Sequence, residues 1–257
     1  MTSDQETSLY RDLAADLRRA IVAGELAPGS PLATEAELAE QHHVSRNTVR
    51  LALAELQSAG LITRGRGRGG RRVQVRDVLD FHGTASESMA RADDRRTMGQ
   101  GVDAWVADNA EQGRTGTQTI AVEIAVPPSP VARLLGLPEG AVAAARRRLR
   151  LSDGQPHNLN DTWYPLDIAD GTPIMHPADV TLGIVQLMRE MGYEQVRYRD
   201  EIEARPPEPD EMQRLKIPTG WPVIVQTRTG YTADRPVKVT VTVWPADRSR
   251  LVYEVPA

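Results

Sequence analysis

V-S-R-N-T-V-R-L-A-L-A-E-L-Q-S-A-G, residues 44–60, decides how this chain is read. Ser45 is placed to cap a helix beginning at Arg46, its hydroxyl accepting from backbone N–H groups left without partners in the first turn. Val49, Leu53 and Leu56 recur at helical spacing and mark a core face. Gly60 ends the helix, because glycine adopts the left-handed conformation of a C-cap without steric cost. Arg46, Asn47, Thr48 and Arg50 are expected to point outward from the first turn. Arg can grip guanine through two hydrogen bonds, Asn can read adenine, and a helix N-terminus favours phosphate. Such a helix suits a DNA major groove. An ordinary amphipathic helix with a solvated polar end is the alternative, and the flanking sequence has to choose.

Upstream, Ser8 to Ala23 places Leu9, Leu13, Leu17 and Ile21 four apart, which predicts a helix closed by Gly24. Residues 24–31 (G-E-L-A-P-G-S-P) are turn material. Thr34 to Gln41 opens with a capping box, Thr34 with Glu37 three positions later. Two short helices across a tight turn make a helix-turn-helix with the Ser45 helix as reader. Downstream, Leu61-Ile62-Thr63 and Val73-Gln74-Val75 read as short strands around R-G-R-G-R-G-G-R-R. Glycines there let the backbone approach closely, and arginines neutralise phosphates or enter a minor groove. A flexible solvated loop is the competing reading. The run follows a reader helix at the place of a wing, which favours DNA contact.

Charge agrees. The 257 residues carry a net charge of −4, yet residues 1–76 are basic by two and the remainder acidic by six. Six arginines fall between Arg64 and Arg76. A basic patch confined to one end of an acidic chain points to a polyanion there. The chain has no Cys, which excludes disulfides, Cys-ligated zinc and thiol catalysis. The five His are scattered with no ligand spacing, so neither a metal nor a cofactor is expected. No apolar run approaches a membrane span and the N-terminus lacks a secretory core, so a cytoplasmic protein with no membrane partner is expected. Basic residues are almost all Arg, with Lys only at 216 and 238, which reads as codon bias.

The span Tyr10 to Val75 resembles the winged helix-turn-helix of the GntR family of bacterial transcription regulators. The matching pieces are I-V-A-G-E-L-A-P-G-S-P-L (21–32), E-L-A-E-Q (37–41), V-S-R-N-T-V-R-L-A-L-A-E-L (44–56) and G-L-I-T-R-G-R-G-R-G (60–69). The resemblance implies DNA contacts from Arg46, Thr48 and Arg50, and from a wing glycine, Gly67 or Gly69. The family's usual L-P-S-E-R is Leu32-Ala33-Thr34-Glu35-Ala36 here, so Ala36 is expected to contribute no contact. His43 stands where Gly is usual, and Gly70-Arg71-Arg72-Val73 replaces a common G-T-F-V. The DNA-contacting candidates are Thr34, Glu35, Ser45, Arg46, Asn47, Thr48 and Arg50, joined on the wing by Arg64, Arg66, Gly67 and Arg68.

After residue 76, a polar stretch to about Arg96 reads as linker (77–96), although ordered structure is possible there. Val102 to Gly113 is a candidate helix with Trp105, Val106 and Ala110 inward. Thr117–Val126 and Ala141–Leu151 are strands, with a short helix at Pro130–Leu135 between them. Along A-V-A-A-A-R-R-R-L-R-L, period two puts Arg146, Arg148 and Arg150 on one face and Arg147, Leu149 and Leu151 on the other. A hairpin leads into His157–Tyr164. Gly183–Met191 and Asp210–Leu215 read as helices, Glu201–Ala204 as a possible strand, and Val223–Tyr231 with Val237–Trp244 as a closing hairpin. Interleaved strands and helices make an α+β chain.

This part, residues 97–257, resembles the UTRA effector-binding domain (HutC-type) that accompanies GntR readers. The matches are V-P-P-S-P-V-A-R-L-L-G-L-P-E-G (126–140), R-R-L-R-L-S-D-G-Q-P (147–156), W-Y-P (163–165) and L-K-I-P-T-G-W-P-V (215–223). The resemblance implies a six-stranded antiparallel sheet like that of chorismate lyase, dimerisation, and an effector pocket on the sheet. By position, Arg148 and Arg150 match arginines that hold the ligand in sugar-phosphate-binding members. Asn160 and Lys238 fall where those members carry acids, and Trp244 where they carry Tyr. The effector candidates are Arg146, Arg148, Arg150, Asn160, Tyr231, Lys238 and Trp244. Losing two acids argues against an amino-sugar phosphate and for an anionic, partly apolar effector. A solvated sheet face with its arginines paired to nearby acids is the alternative.

The expectation is a homodimeric transcription regulator, most simply a repressor on a pseudo-palindromic double-stranded operator, released or recruited by a small anion. The alternative is a plasmid-transfer or phage-type repressor whose C-terminal domain only dimerises. A chorismate-lyase-like enzyme comes third, because no nucleophile–base pair stands out.

Overall fold

The core face of residues 44–60 works as the spacing predicts. In the computed structural model, α3 spans Arg46–Ser58, and Val49, Leu53 and Leu56 are buried in it. Ser45 Oγ accepts from Thr48 N at 3.1 Å. The helix ends in a Schellman motif: Gly60, at φ 63°, donates to Gln57 O, while Leu61 N reaches back to Leu56 O. The described residues are 3–27, 29–63, 70–73, 79–82, 104–180, 183–217 and 220–253. They fall into two compact units, Met1–Val78 with Ile217–Trp221, and Leu79–Lys216 with Pro222–Ala257.

In the first unit, α1 (Ser3–Val22) and α2 (Glu35–Gln41) pack on α3 around Leu13, Leu17, Leu38, Leu53 and Leu56. Helix α1 starts before the expected Ser8, since the polar S-D-Q-E-T run carries no apolar periodicity to read. The Thr34–Glu37 capping box forms: Glu37 N donates to Thr34 Oγ1 and Thr34 N to Glu37 Oε2. His43, in the turn between α2 and α3, takes φ 53°, the left-handed region a glycine occupies without cost. Among the described residues the wing's expected strands are joined by antiparallel bridges, Ile62 with Val73 and Pro31 with Arg72. Residues 29–32 supply the third segment, where the Pro/Gly composition suggested only a turn. The wing tip, with Arg64, Arg66, Gly67 and Arg68, lies outside the described residues, as do Gln74 and Val75.

The second unit is built on a six-stranded sheet in the order β2-β3-β4-β7-β6-β5, every neighbour antiparallel. The strands are β2 (Gly116–Ala125), β3 (Ala143–Ser152), β4 (Gln155–Pro165), β5 (Arg197–Arg205), β6 (Val223–Tyr231) and β7 (Pro236–Pro245). Adjacent residues of β4 go to opposite layers. Trp163 packs with Val131 and Leu135 of α5 (Ser129–Leu135), whereas Tyr164 packs with Ile168, Ile174 and Met188. These last belong to α6 (Leu166–Ala169), a 3-10 turn at Pro173–Met175, and α7 (Ile184–Glu190). Helix α8 (Pro209–Leu215) precedes β6.

Two expectations are corrected. The segment read as linker contains β1 (Leu79–His82), which pairs in parallel with β8 (Ser249–Val252). Four residues are too few to show a period, and the partner lies at the far end of the chain. Helix α4 spans Ala104–Glu111, with Trp105 inward as expected, but Asn109 rather than Ala110 is buried. Asn109 Nδ2 donates to Trp105 O at 2.9 Å, one helical turn back, which lets an amide sit inside. The Trp105 indole N–H reaches both Thr117 O and Leu151 O, pinning α4 to the start of β2 and the end of β3.

Candidate DNA interface and effector face

On the reader helix, Arg46, Asn47 and Arg50 are exposed, as their spacing required. Thr48 is not: only 2% of it is accessible, correcting the outward placement. Its hydroxyl lies 2.8 Å from Ser45 Oγ, so the capping residue draws it back against the domain. Leu51 takes the outward place instead, 45% exposed and one turn beyond Asn47. Sequence reading passed over it as an apolar residue, although a Leu on this face can meet a thymine methyl. Ser45 and Thr34 both spend their hydroxyls on helix caps. Glu35 does not face outward as a lone acid. Its carboxylate accepts from Arg71 Nη1 at 2.9 Å and Arg50 Nε at 3.3 Å. The Arg71 hydrogen bond, with Arg50 adding to it, holds the Glu35 carboxyl below its ordinary value. Glu35 therefore ties the reader helix to the base of the wing and aims two arginines.

On the larger sheet, the period-two reading separates the arginines as expected, and the two faces have different fates. Arg147 lies on the α5 side, over the Trp163 ring, paired to Glu123 at 2.7 Å and Asp161 at 2.6 Å. That is the paired, partly solvated arginine of the alternative reading. Arg146, Arg148 and Arg150 lie on the other face, beneath α4, α6 and α7. Cross-strand register aligns them with polar residues: Arg150 with Asn158, Arg148 with Asn160, and Arg146 with Thr162. The next strand adds Thr242 opposite Asn160 and Thr240 opposite Thr162.

These residues do different work. Arg146 is 1% exposed and donates to the carbonyls of Ile174 and His176 through Nη1, and of Ala178 through Nη2, at 2.5–2.9 Å. It holds the 173–178 loop over the sheet. Arg150 donates to Gln118 Oε1 and lies against the Trp105 ring. Arg148, 6% exposed, makes long bonds to neutral groups, 3.3 Å to Asn160 Oδ1 and 3.4 Å to Thr162 Oγ1, and also acts on the buried Tyr164 phenol. No carboxylate pairs with it among the described residues. Lys238, 9% exposed, has its Nζ 5.7 Å from the Tyr198 ring centre, again with no carboxylate partner among the described residues. Burial first, then the charges of Arg228 and Arg148, pull the Lys238 ammonium down to about 7.

Trp244 is buried beside Trp105, at the Asn158 end of the same face. Tyr231 stands apart, at the end of β6 under the Arg197 guanidinium of edge strand β5, 3.7 Å from ring centre to Cζ. Sequence reading missed Asn158. It is wholly buried, and neither amide atom has a hydrogen-bond partner among the described residues. Its signal was present, two residues before Asn160 and so on the same face. The structure also brings Ser249 Oγ and His157 Nε2 within 3.4 Å, a pair no motif announced; both are buried.

Comparison with known proteins joins the two halves. Residues 9–71 match the bacterial regulatory proteins of the gntR family, and residues 110–250 match the UTRA domain. The chain belongs to the GntR family. The HTH-type transcriptional regulator SCO4628 of Streptomyces coelicolor is 32% identical over 231 residues, covering 88% of this chain and 84% of that protein. The HTH-type transcriptional repressor NagR of Bacillus subtilis is 26% identical over 224 residues, covering 87% and 84%. A solved GntR-family regulator superposes with a TM-score of 0.66 at 26% identity, covering 97% of this chain and 98% of its own. The chain is thus a helix-turn-helix transcription regulator carrying a UTRA effector-binding domain. The α+β architecture and six-stranded antiparallel sheet that the resemblance implied are those of this GntR protein.

Proposed function

We propose that this GntR protein is a homodimeric repressor acting in the cytoplasm, whose grip on a pseudo-palindromic operator is set by a small anion bound on the arginine face of its larger sheet. The observation that supports the anion is Arg148, a guanidinium nine-tenths buried whose hydrogen-bond partners among the described residues are all neutral. A buried cation in that position costs several kcal/mol unless something of opposite charge joins it. An anion supplies it. Asn158 and Trp244, at one end of the face, suit a ligand with a hydrogen-bonding group beside an apolar part.

For the reader, Arg46, Asn47, Arg50 and Leu51 meet base edges, and Arg71 and the wing arginines meet phosphates. Thr34 and Ser45 act as caps, and Glu35 positions Arg50 and Arg71. Two readers on one two-fold axis select half-sites of matching symmetry. The effector works through its differential affinity for the two reader arrangements, typically worth about 1–3 kcal/mol, or roughly 5–150-fold in operator affinity.

Selection of bound sequences from random duplex DNA tests the reader: enrichment of a two-fold-symmetric motif is expected, and enrichment of none would refute it. The effector is tested on that duplex by fluorescence anisotropy against a panel of anionic metabolites. At least one should shift the affinity of the wild type and not of Arg148→Met. A panel in which no anion shifts it would favour a domain that only dimerises.

A further inference from the structure

Lys238 is in an unusual place for an amine. Its cross-strand neighbour on β6 is Gly230, where a Cβ would come within 3.3 Å of Lys238 Cγ, so the sheet leaves a channel for the lysine stem. The stem runs over that glycine and carries Nζ toward Tyr198. The groups that face it come from every surrounding element. Strand β3 brings Arg148, β4 the buried phenol of Tyr164, β6 Arg228, and β5 Tyr198 and Asp200. Helix α7 brings Arg189 near Tyr198, with Arg189 itself bridged to Glu194. Asp200 is the acid among them on the sheet, and it is engaged in a fork with Arg228, at 2.7 Å to Nε and 2.6 Å to Nη2. Arg148 and Lys238 therefore share one buried face with no counter-charge between them among the described residues.

Resting on the anion reading above, we infer that this face takes a dianion, such as a phosphate monoester or a dicarboxylate, and that Lys238 joins Arg148 around it by taking up a proton as the ligand enters. A monoanion is matched by Arg148 alone and leaves Lys238 a neutral amine, whereas a dianion brings a second negative charge that the Lys238 ammonium matches. In the empty protein burial, and then the repulsion of Arg228 and Arg148, leave Lys238 roughly half neutral at pH 7. The dianion reverses both influences, because an opposite charge nearby favours the ammonium. Dianion affinity is therefore full below the empty-state value of Lys238 and falls as pH rises through it, by up to about tenfold per pH unit. The regulator thus senses proton activity together with its effector.

Sulfate is the probe, since it stays a dianion across this range and brings no titration of its own. The chain has only two lysines, Lys216 and Lys238. Full-length protein labelled with carbon-13 at lysine therefore gives two side-chain signals. One should titrate with a midpoint near 7 in the absence of sulfate and move upward by a unit or more when sulfate saturates. Lys238→Met should remove that signal and flatten the pH dependence of sulfate affinity, measured by tryptophan fluorescence between about pH 6 and pH 8.5. Lys238→Gln, which keeps a polar tip, guards against a packing artefact and should flatten it equally. Sulfate binding that depends on Arg148 but is unchanged across this pH range, with no lysine signal titrating near 7, would overturn the proton uptake and leave the anion reading standing. Sulfate that fails to saturate the wild type, or binds Arg148→Met undiminished, would overturn both.

Discussion

Arg146 and Arg148 sit two residues apart on one strand, face the same side and are both buried, yet the structure gives opposite expectations for replacing each with Met. Arg146 makes three hydrogen bonds to backbone carbonyls at 2.5–2.9 Å. Bonds from a charged donor contribute about 1.5–3 kcal/mol each, against several kcal/mol for desolvating the guanidinium. Methionine fills similar space but leaves the Ile174, His176 and Ala178 carbonyls without a donor, at about 1–3 kcal/mol for each that stays buried. The expected loss is about 3–5 kcal/mol, and at roughly 2–4 °C per kcal/mol the melting temperature falls by about 10 °C. Arg148→Met removes a buried charge with two long neutral bonds. The desolvation relieved is of the same order as the bonds lost, so stability should change by less than about 1 kcal/mol in either direction.

The assay is urea unfolding followed by tryptophan emission. Trp105, Trp163 and Trp244 all belong to the larger unit, so the signal weights the domain that carries both arginines. The same two proteins are then titrated with anions. Arg146→Met should be unstable, whereas Arg148→Met should be stable and blind to them. Equal destabilisation by both would show that Arg148 is structural, and would remove the main support for an anion site.

Further outcomes follow for the reader. Arg50→Ala should cost roughly 1–3 kcal/mol on the selected operator and relax preference at one base pair, while Arg71→Ala should weaken all sequences alike and lower the salt slope by about 1; anisotropy titrations across salt concentrations separate them. Ser45→Ala should destabilise the reader unit by about 1 kcal/mol through loss of the helix cap, measured by denaturation followed by far-ultraviolet circular dichroism. His43→Gly relieves a left-handed cost of about 1–2 kcal/mol at the expense of greater unfolded-state freedom, so it should stabilise by at most about 1 kcal/mol. Glu35, held below its ordinary value by Arg71 and Arg50, contributes stability that is present above the unfolded carboxyl value and lost as pH falls through the lower folded one. Thermal melts between about pH 6 and pH 3 should therefore show a smaller acid loss in Glu35→Gln than in the wild type.

What was legible in the sequence was whatever a short period or a local hydrogen bond announces. The Thr34–Glu37 capping box, the Ser45 cap, the glycine stop at Gly60, the closing hairpin and the face shared by Arg146, Arg148 and Arg150 all depend on residues within a few positions of one another. What was hidden depends on partners far along the chain. Period two places three arginines on one side of β3, but it does not say that a loop 30 residues later would hand Arg146 three carbonyls and leave Arg148 none. The β1–β8 pair, the Glu35–Arg71 bridge and the contact of Trp105 with Arg150 were hidden for the same reason. Thr48 was misplaced for a different one, since a threonine three residues after a capping serine can turn to that serine as readily as to solvent. The division carries a functional meaning. The part of the arginine face satisfied by the chain itself is structural, and the part with no counter-charge among the described residues, Arg148 with Lys238, is where the proposed ligand's charge would have its largest effect.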